Sequence, residues 1–150
     1  MQEENEFDRA LKVALKAHFG QKDRGGKAYI LHPLRLAMRV KTDNEKLAAL
    51  LHDVVEDSDV TLNELRELGF GEEVVEAIDC LTRREGESYQ VFIERLSGNK
   101  LALRVKIEDL KDNLDLTRLE NITEEDFRRI QKYLNALQYL DRRLMGPPIG

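Results

Sequence analysis

The amino-acid sequence predicts an all-α protein, one helical bundle spanning residues 1–150. Apolar residues recur at three- and four-residue intervals along most of the chain, and strand-like alternation is nowhere sustained. Helix-start signatures precede several of the periodic segments. No internal repeat and no Gly/Ser/Pro linker divides the chain, and 150 residues can bury a core without disulfides or a structural metal.

The elements follow in order. Phe7, Leu11, Ala14, Leu15 and His18 fall at helical spacing, and Gly20 is the stop. Residues 20–28 form a basic loop containing glycines. Pro33 suits the first turn of a second helix, where its missing N–H costs nothing, so His32 is expected immediately before the helix start. That helix carries Leu34, Ala37, Met38 and Val40. A third helix is expected from Glu45 to about Glu56, apolar through Leu47, Ala48, Leu51 and Val55. Thr61 with Glu64 three residues later is a capping-box pattern opening a short helix that Gly69 ends. Further helices are expected at about 72–83, 88–97 and 100–115. The last runs from about 123 to 145, with Thr123 and Asp126 at its start. It presents Phe127, Ile130, Leu134, Leu137, Leu140 and Leu144, and Gly146-Pro147-Pro148 stops it.

Composition narrows the function. With 24 Lys+Arg against 29 Asp+Glu, the net charge of −5 argues against non-specific binding to DNA, RNA or an anionic membrane. The aliphatic run Leu47–Leu51 near the acidic motif is far short of the ~20 residues that span a bilayer. The acidic N-terminus lacks the basic and apolar regions of a signal peptide. The single cysteine, Cys80, excludes an internal disulfide, fits a reducing cytoplasm and reads as a core residue beside Ala77, Ile78 and Leu81.

Chemistry concentrates in a few polar residues. His32, His52, Asp53 and Asp109 offer two imidazoles and two carboxylates, a donor set suited to one divalent metal with positions left for water and substrate. In the run Leu50–Asp57, Glu56 and Asp57 lie three to four residues beyond Asp53, so on a helix they share its face. Acids near a helix C-terminus are disfavoured by the macrodipole, and a bound cation reverses that penalty. Asp109 and Asn113 lie four apart on one helix face. The loop Lys22-Asp23-Arg24-Gly25-Gly26-Lys27 can supply cations to a polyphosphate.

In this order the motifs resemble a known family. Ala17-His18-x-Gly20-Gln21-Lys22 precedes Tyr29-Ile30-x-His32-Pro33. Then come Ala49-x-Leu51-His52-Asp53-x-Val55-Glu56-Asp57-x-Asp59-x-Thr61 and Val105-Lys106-x-x-Asp109-x-x-x-Asn113. From about Ala10 to Leu119 the chain resembles the HD-domain metal-dependent phosphohydrolases, and within them the hydrolase domain of RelA/SpoT-type alarmone enzymes and their small stand-alone relatives. The resemblance implies a helical HD-domain bundle in which His32, His52, Asp53 and Asp109 bind Mn²⁺. It implies that Glu56 and Asp57 handle the attacking water, that Asn113 contacts the nucleotide, and that the 3′-pyrophosphate of (p)ppGpp is released. The larger members add a nucleotide-synthesising domain, for which 150 residues leave no room.

Two departures from the family pattern matter. Asp23 stands where a basic residue is usual, which opens the alternative of another nucleotide substrate: NADPH, a deoxynucleotide or a nucleoside monophosphate. A non-catalytic nucleotide-binding module is the reading from a different class. Asp112 stands where the family often has His, and is left out of the inherited site. The substrate-side assignment is therefore Lys22, Arg24 and Asn113.

Overall fold

The computed structural model describes residues 3–146. The helices are α1 (Glu6–Ala17), α2 (Leu31–Arg39), α3 (Asp43–Leu51), α4 (Val54–Asp57), α5 (Leu62–Glu67), α6 (Glu72–Leu81), α7 (Tyr89–Leu96), α8 (Lys100–Asn113) and α9 (Glu124–Met145). A short 3₁₀ turn, Leu116–Arg118, precedes α9. Among the described residues there is no strand, only an isolated bridge between Lys22 and Ala28. The all-α expectation holds, and no described helix is long and apolar enough to cross a membrane.

Local chemistry sets most boundaries. Asn5, Thr42, Thr61, Ser88, Asn99 and Thr123 each accept a backbone N–H from the first turn of the helix that follows. Losing such a cap costs about 1 kcal/mol. At Thr123 the reciprocal bond from the backbone N–H to Asp126 completes a capping box. At Thr61 only the forward half forms, so the expected box there is incomplete. Gly146, at φ +76°, ends α9; the prolines expected to stop that helix lie outside the described residues.

Helix α3 is the axis of the bundle, packed against α1, α2, α6 and α8. Its Ala48, Ala49, Leu50 and Leu51 are fully buried. A helix surrounded by neighbours is apolar on every side, so truncating Leu50 to Ala should cost about 2–5 kcal/mol. Cys80, expected in the core, is half-buried and packs against its edge.

Three expectations need correction. The second helix begins at Leu31, so His32 sits within its first turn instead of before it. The third helix is interrupted: α3 ends at Leu51, His52 and Asp53 form a turn, and α4 carries Glu56 and Asp57 on a single turn. The acids therefore do not lie at the C-terminus of a long helix, and the macrodipole argument for a cation falls away. On α9 the buried positions are Asp126, Ala136 and Leu140, whereas Phe127, Leu134 and Leu144 of the expected face are 61%, 41% and 44% exposed. The buried stripe, through Asp126 and Tyr133, passes one position away from Phe127 and Leu134.

Candidate metal centre and active site

Three helices bring their polar residues to one buried point. His32 comes from the first turn of α2, His52 caps the C-terminus of α3, and Asp109 stands in the middle of α8. One ligand atom from each lies within 4.8 Å of the other two, and all three side chains are buried. His32 Nε2 is 2.8 Å and His52 Nε2 3.6 Å from Asp109 Oδ1. Both imidazoles are anchored from behind, His52 through Nδ1 to the Ala49 carbonyl at 2.7 Å and His32 through Nδ1 to Asp112 Oδ2 at 2.6 Å.

This anchoring gives the test of whether a metal fits. Donation from Nδ1 to the Ala49 carbonyl leaves the lone pair of neutral His52 on Nε2. That buried atom has no hydrogen-bond partner, and it stands 2.9 Å from Asp53 Oδ2 without the alignment of a hydrogen bond. A lone pair facing two carboxylates needs a cation or a proton between them. The titration directions agree: burial lowers His52, but Asp53 and Asp109 outweigh it and raise its pKa well above the ordinary value. Burial raises Asp109, yet Lys106 and both histidines hold it well below the carboxylate range. The donor set fits a divalent cation.

The fourth expected ligand, Asp53, flanks this group and is not one of the three mutually close donors. The Tyr29 hydroxyl donates to its Oδ2. Burial and Asp53 both push the Tyr29 pKa far upward, so it remains a neutral donor. His18, Tyr29, His32 and His52 form a row of rings with successive centroids 4.8, 5.6 and 5.3 Å apart. Lys106 Nζ donates to Asp109 Oδ2 at 2.8 Å, and Asn113 Nδ2 to Oδ1 at 3.0 Å.

Glu56 and Asp57 remain exposed beside the centre. Glu56 Oε1 accepts the backbone N–H of Arg83 at 2.9 Å, which ties α4 to the loop after α6. Partial burial, then the charges of Asp53 and Glu56, raise the Asp57 pKa. That makes Asp57 a better proton acceptor than an isolated aspartate.

A cavity of about 130 Å³ opens against His32. Its walls include Asp23, Arg24, Tyr29, Arg35, Asp112, Asn113, Asp115, Arg118, Arg129 and Tyr133. The basic loop is a closed turn: Asp23 N–H donates to the Lys27 carbonyl, Gly26 N–H to the Asp23 carbonyl, and Lys27 N–H to Asp23 Oδ1. Gly25 is required there, because a Cβ would come within 2.9 Å of the Arg118 carbonyl. Of the expected substrate contacts, Arg24 and Asn113 line the cavity and Lys22 does not. Arg24 also pairs with Asp126 at 2.6 Å, and Arg129 bonds the same carboxylate. A larger groove of about 490 Å³ between α7 and α9, lined by Tyr89, Lys132, Tyr139 and Arg142, gathers no metal-ligating set.

Sequence reasoning missed Asp112, Arg35, Arg118, Arg129 and Tyr133. Two spacings carried a signal: Arg35 follows His32 by three residues, and Asp112 follows Asp109 by three, so each pair shares a helix face. Asp112, set aside on sequence, is 1% exposed and bonds His32 directly.

No family model matches the chain. Among curated proteins it is 33% identical over 125 residues to the guanosine-3′,5′-bis(diphosphate) 3′-pyrophosphohydrolase of Aquifex aeolicus, covering 75% of this chain and 18% of that protein. It is 44% identical over 117 residues to the protein of the same name from Vibrio cholerae, covering 68% and 16%. A probable GTP pyrophosphokinase of Mycobacterium leprae is 33% identical over 152 residues, covering 91% and 19%. The chain thus spans under a fifth of the length of these relatives. A solved metazoan SpoT ortholog, described as hydrolysing ppGpp, superposes with a TM-score of 0.73 at 24% identity, over 96% of this chain and 94% of that one. With the fold shared along nearly its whole length, and a third or more of the aligned residues shared with these relatives, the chain belongs to the RelA/SpoT group of HD-domain proteins.

Proposed function

We propose that this chain is a Mn²⁺-dependent hydrolase that removes the 3′-pyrophosphate of (p)ppGpp, leaving GDP or GTP. The observation that carries this reading is the convergence of His32, His52 and Asp109 beside a cavity walled by arginines. The names of the relatives support the same substrate. His32, His52 and Asp109 would hold the ion, with Asp53 completing the set. When bound, Mn²⁺ neutralises a phosphoryl oxygen and lowers the pKa of water.

The protein residues divide the remaining work. Asp57, its pKa raised by partial burial and then by its acidic neighbours, takes the proton from the attacking water, and Glu56 relays it. Water adds to the phosphorus next to the ribose, that phosphorus–oxygen bond breaks, and the 3′ oxygen receives a proton. Arg24, Arg35, Arg118 and Arg129 present cations to the polyphosphate, and Asn113 stands between the cavity and Asp109. A single half-buried thiol suits a cytoplasmic location.

One observation favours a second reading, in which the substrate is NADPH, a deoxynucleotide or a nucleoside monophosphate. Asp23 and Asp115 share the cavity wall with the arginines, which reduces its attraction for a highly charged ligand. Purified protein with Mn²⁺ should release pyrophosphate from ppGpp and pppGpp faster than it acts on the other three classes, with products identified by mass. A preference for any of those classes would replace the alarmone assignment.

A further inference from the structure

The two histidines of the centre are held in different ways. His52 is anchored by the Ala49 carbonyl, three residues back on its own chain segment. His32 is anchored by a carboxylate on another helix, 80 residues away in sequence.

That carboxylate is itself immobilised. Arg35 clasps Asp112 with two parallel bonds, Nε to Oδ1 at 2.8 Å and Nη2 to Oδ2 at 2.9 Å. Arg39 Nη1 adds a bond to Oδ1 at 3.2 Å, and Arg118 Nη2 holds the Asp112 backbone carbonyl at 2.7 Å. Oδ2 therefore receives His32 and Arg35, and Oδ1 receives Arg35 and Arg39. Neither oxygen has freedom to turn away, and a bidentate guanidinium fixes the carboxylate plane as well as its position. His32, Arg35 and Arg39 lie along one face of α2, so one side of that helix is bolted to one residue of α8.

We propose that Asp112 is a positioning residue for His32. It accepts the Nδ1–H, so the Nε2 lone pair is directed at the point shared with Asp109 and His52, and the ring is already oriented before any ion arrives. The inference rests on the reading of this cluster as a metal centre. A carboxylate behind a ligating imidazole fixes the tautomer and raises donor strength, and its loss weakens metal affinity by about 10–100-fold. The carbonyl behind His52 offers no comparable charge, so the centre is asymmetric: the His32 bond depends on a side chain and the His52 bond on backbone.

The test measures metal affinity apart from turnover. Titration of Mn²⁺ or Co²⁺ into the metal-free protein should give a Kd about tenfold weaker for Asp112→Asn and up to about 100-fold weaker for Asp112→Ala. Glu45→Gln serves as comparator, because Glu45 is also a buried carboxylate paired with an arginine, Arg104, on a different part of the surface. It should lower Tm and leave Kd unchanged. In the wild-type protein loaded with Zn²⁺, imidazole ¹⁵N spectra should show His32 protonated at Nδ1 and coordinated through Nε2. That spectrum decides the matter even if the Asp112 variants do not fold. Asp112→Asn binding metal like wild type while KM alone changes would make Asp112 a brace for the arginine wall, and would overturn the proposal. So would coordination through Nδ1. A wild-type protein that takes up no Mn²⁺, Co²⁺ or Zn²⁺ removes the metal-centre reading and this inference together, a result distinct from normal wild-type binding with an indifferent variant.

Discussion

Two clusters of charge in this molecule use similar residues to opposite ends. Where α7 meets the loop after α6, Arg95 of α7 meets both oxygens of Glu87 through Nε and Nη2, and also donates to the carbonyls of Cys80 and Thr82. Both carboxylate oxygens are met, and no donors converge on a common point. At the meeting of α2, α3 and α8, by contrast, the imidazoles are secured through Nδ1 while Nε2 of each points at acidic oxygens, and His52 Nε2 has no partner. A closed cluster braces a loop. An open one leaves a buried polar atom unmet, at a cost of about 1–3 kcal/mol that a shared cation or proton would offset.

The sharpest way to break the open cluster is Asp109→Ala. The substitution should abolish detectable turnover and most metal uptake, read by elemental analysis. It also strands Lys106, whose ammonium is paired with Asp109, so Tm should fall by the equivalent of about 3–5 kcal/mol while the helical circular dichroism of the folded state persists. Full metal content in this variant would remove Asp109 from the centre.

Glu56→Gln comes next. The amide can still accept the Arg83 N–H, so the link between α4 and the following loop survives while the basic carboxylate is gone. Metal content should be normal and kcat lower by about 10²–10⁴. An unchanged kcat at saturating substrate would make Glu56 a structural tie alone.

Smaller effects are expected in the cavity wall. Asp23→Asn keeps an acceptor for the Lys27 N–H and removes only the charge, so KM for ppGpp should fall by about fivefold, the equivalent of roughly 1 kcal/mol near the surface. Asp23→Arg should lower KM too, though it also opens the loop. Arg24→Ala should raise KM by a similar factor, with kcat changed less in each case. Steady-state kinetics that show KM indifferent to all three would sever this loop from the substrate.

The closed cluster should answer only to stability. Hydrogen bonds from Arg95 and from the Arg84 backbone hold the Glu87 carboxyl down at about 2, below its unfolded value of about 4.3. A depressed folded pKa stabilises above the unfolded value, and that contribution is lost as pH falls through about 2. Glu87→Gln should therefore melt below wild type at pH 6, with the gap narrowing as pH drops from about 4.3 towards 2, and with metal affinity untouched. A gap independent of pH would assign the loss to shape instead of charge.

Much of this was legible in the chain. Helical periodicity and polar caps gave the order and approximate limits of the elements, because both depend on residues three or four apart. The Thr123–Asp126 capping box was readable for the same reason. The break after Leu51 was not, since no Gly or Pro marks it and the turn forms where His52 and Asp53 face inward among groups from other helices. The exposed Phe127, Leu134 and Leu144 were misassigned because a helical stripe is about 100° wide, and only tertiary contact decides where it is centred.

The sequence by itself determined which donors exist, His32, His52, Asp53 and Asp109, and that they ride on helices. Only the tertiary structure decided that Asp53 stands beside the closest three, that Lys22 misses the cavity, and that Asp112 backs His32. The physical reason is range. Periodicity and capping act within a turn or two of helix, whereas the bonds that build the centre join residues 77 and 80 positions apart. Those partners meet only when α2 and α8 are both packed against α3.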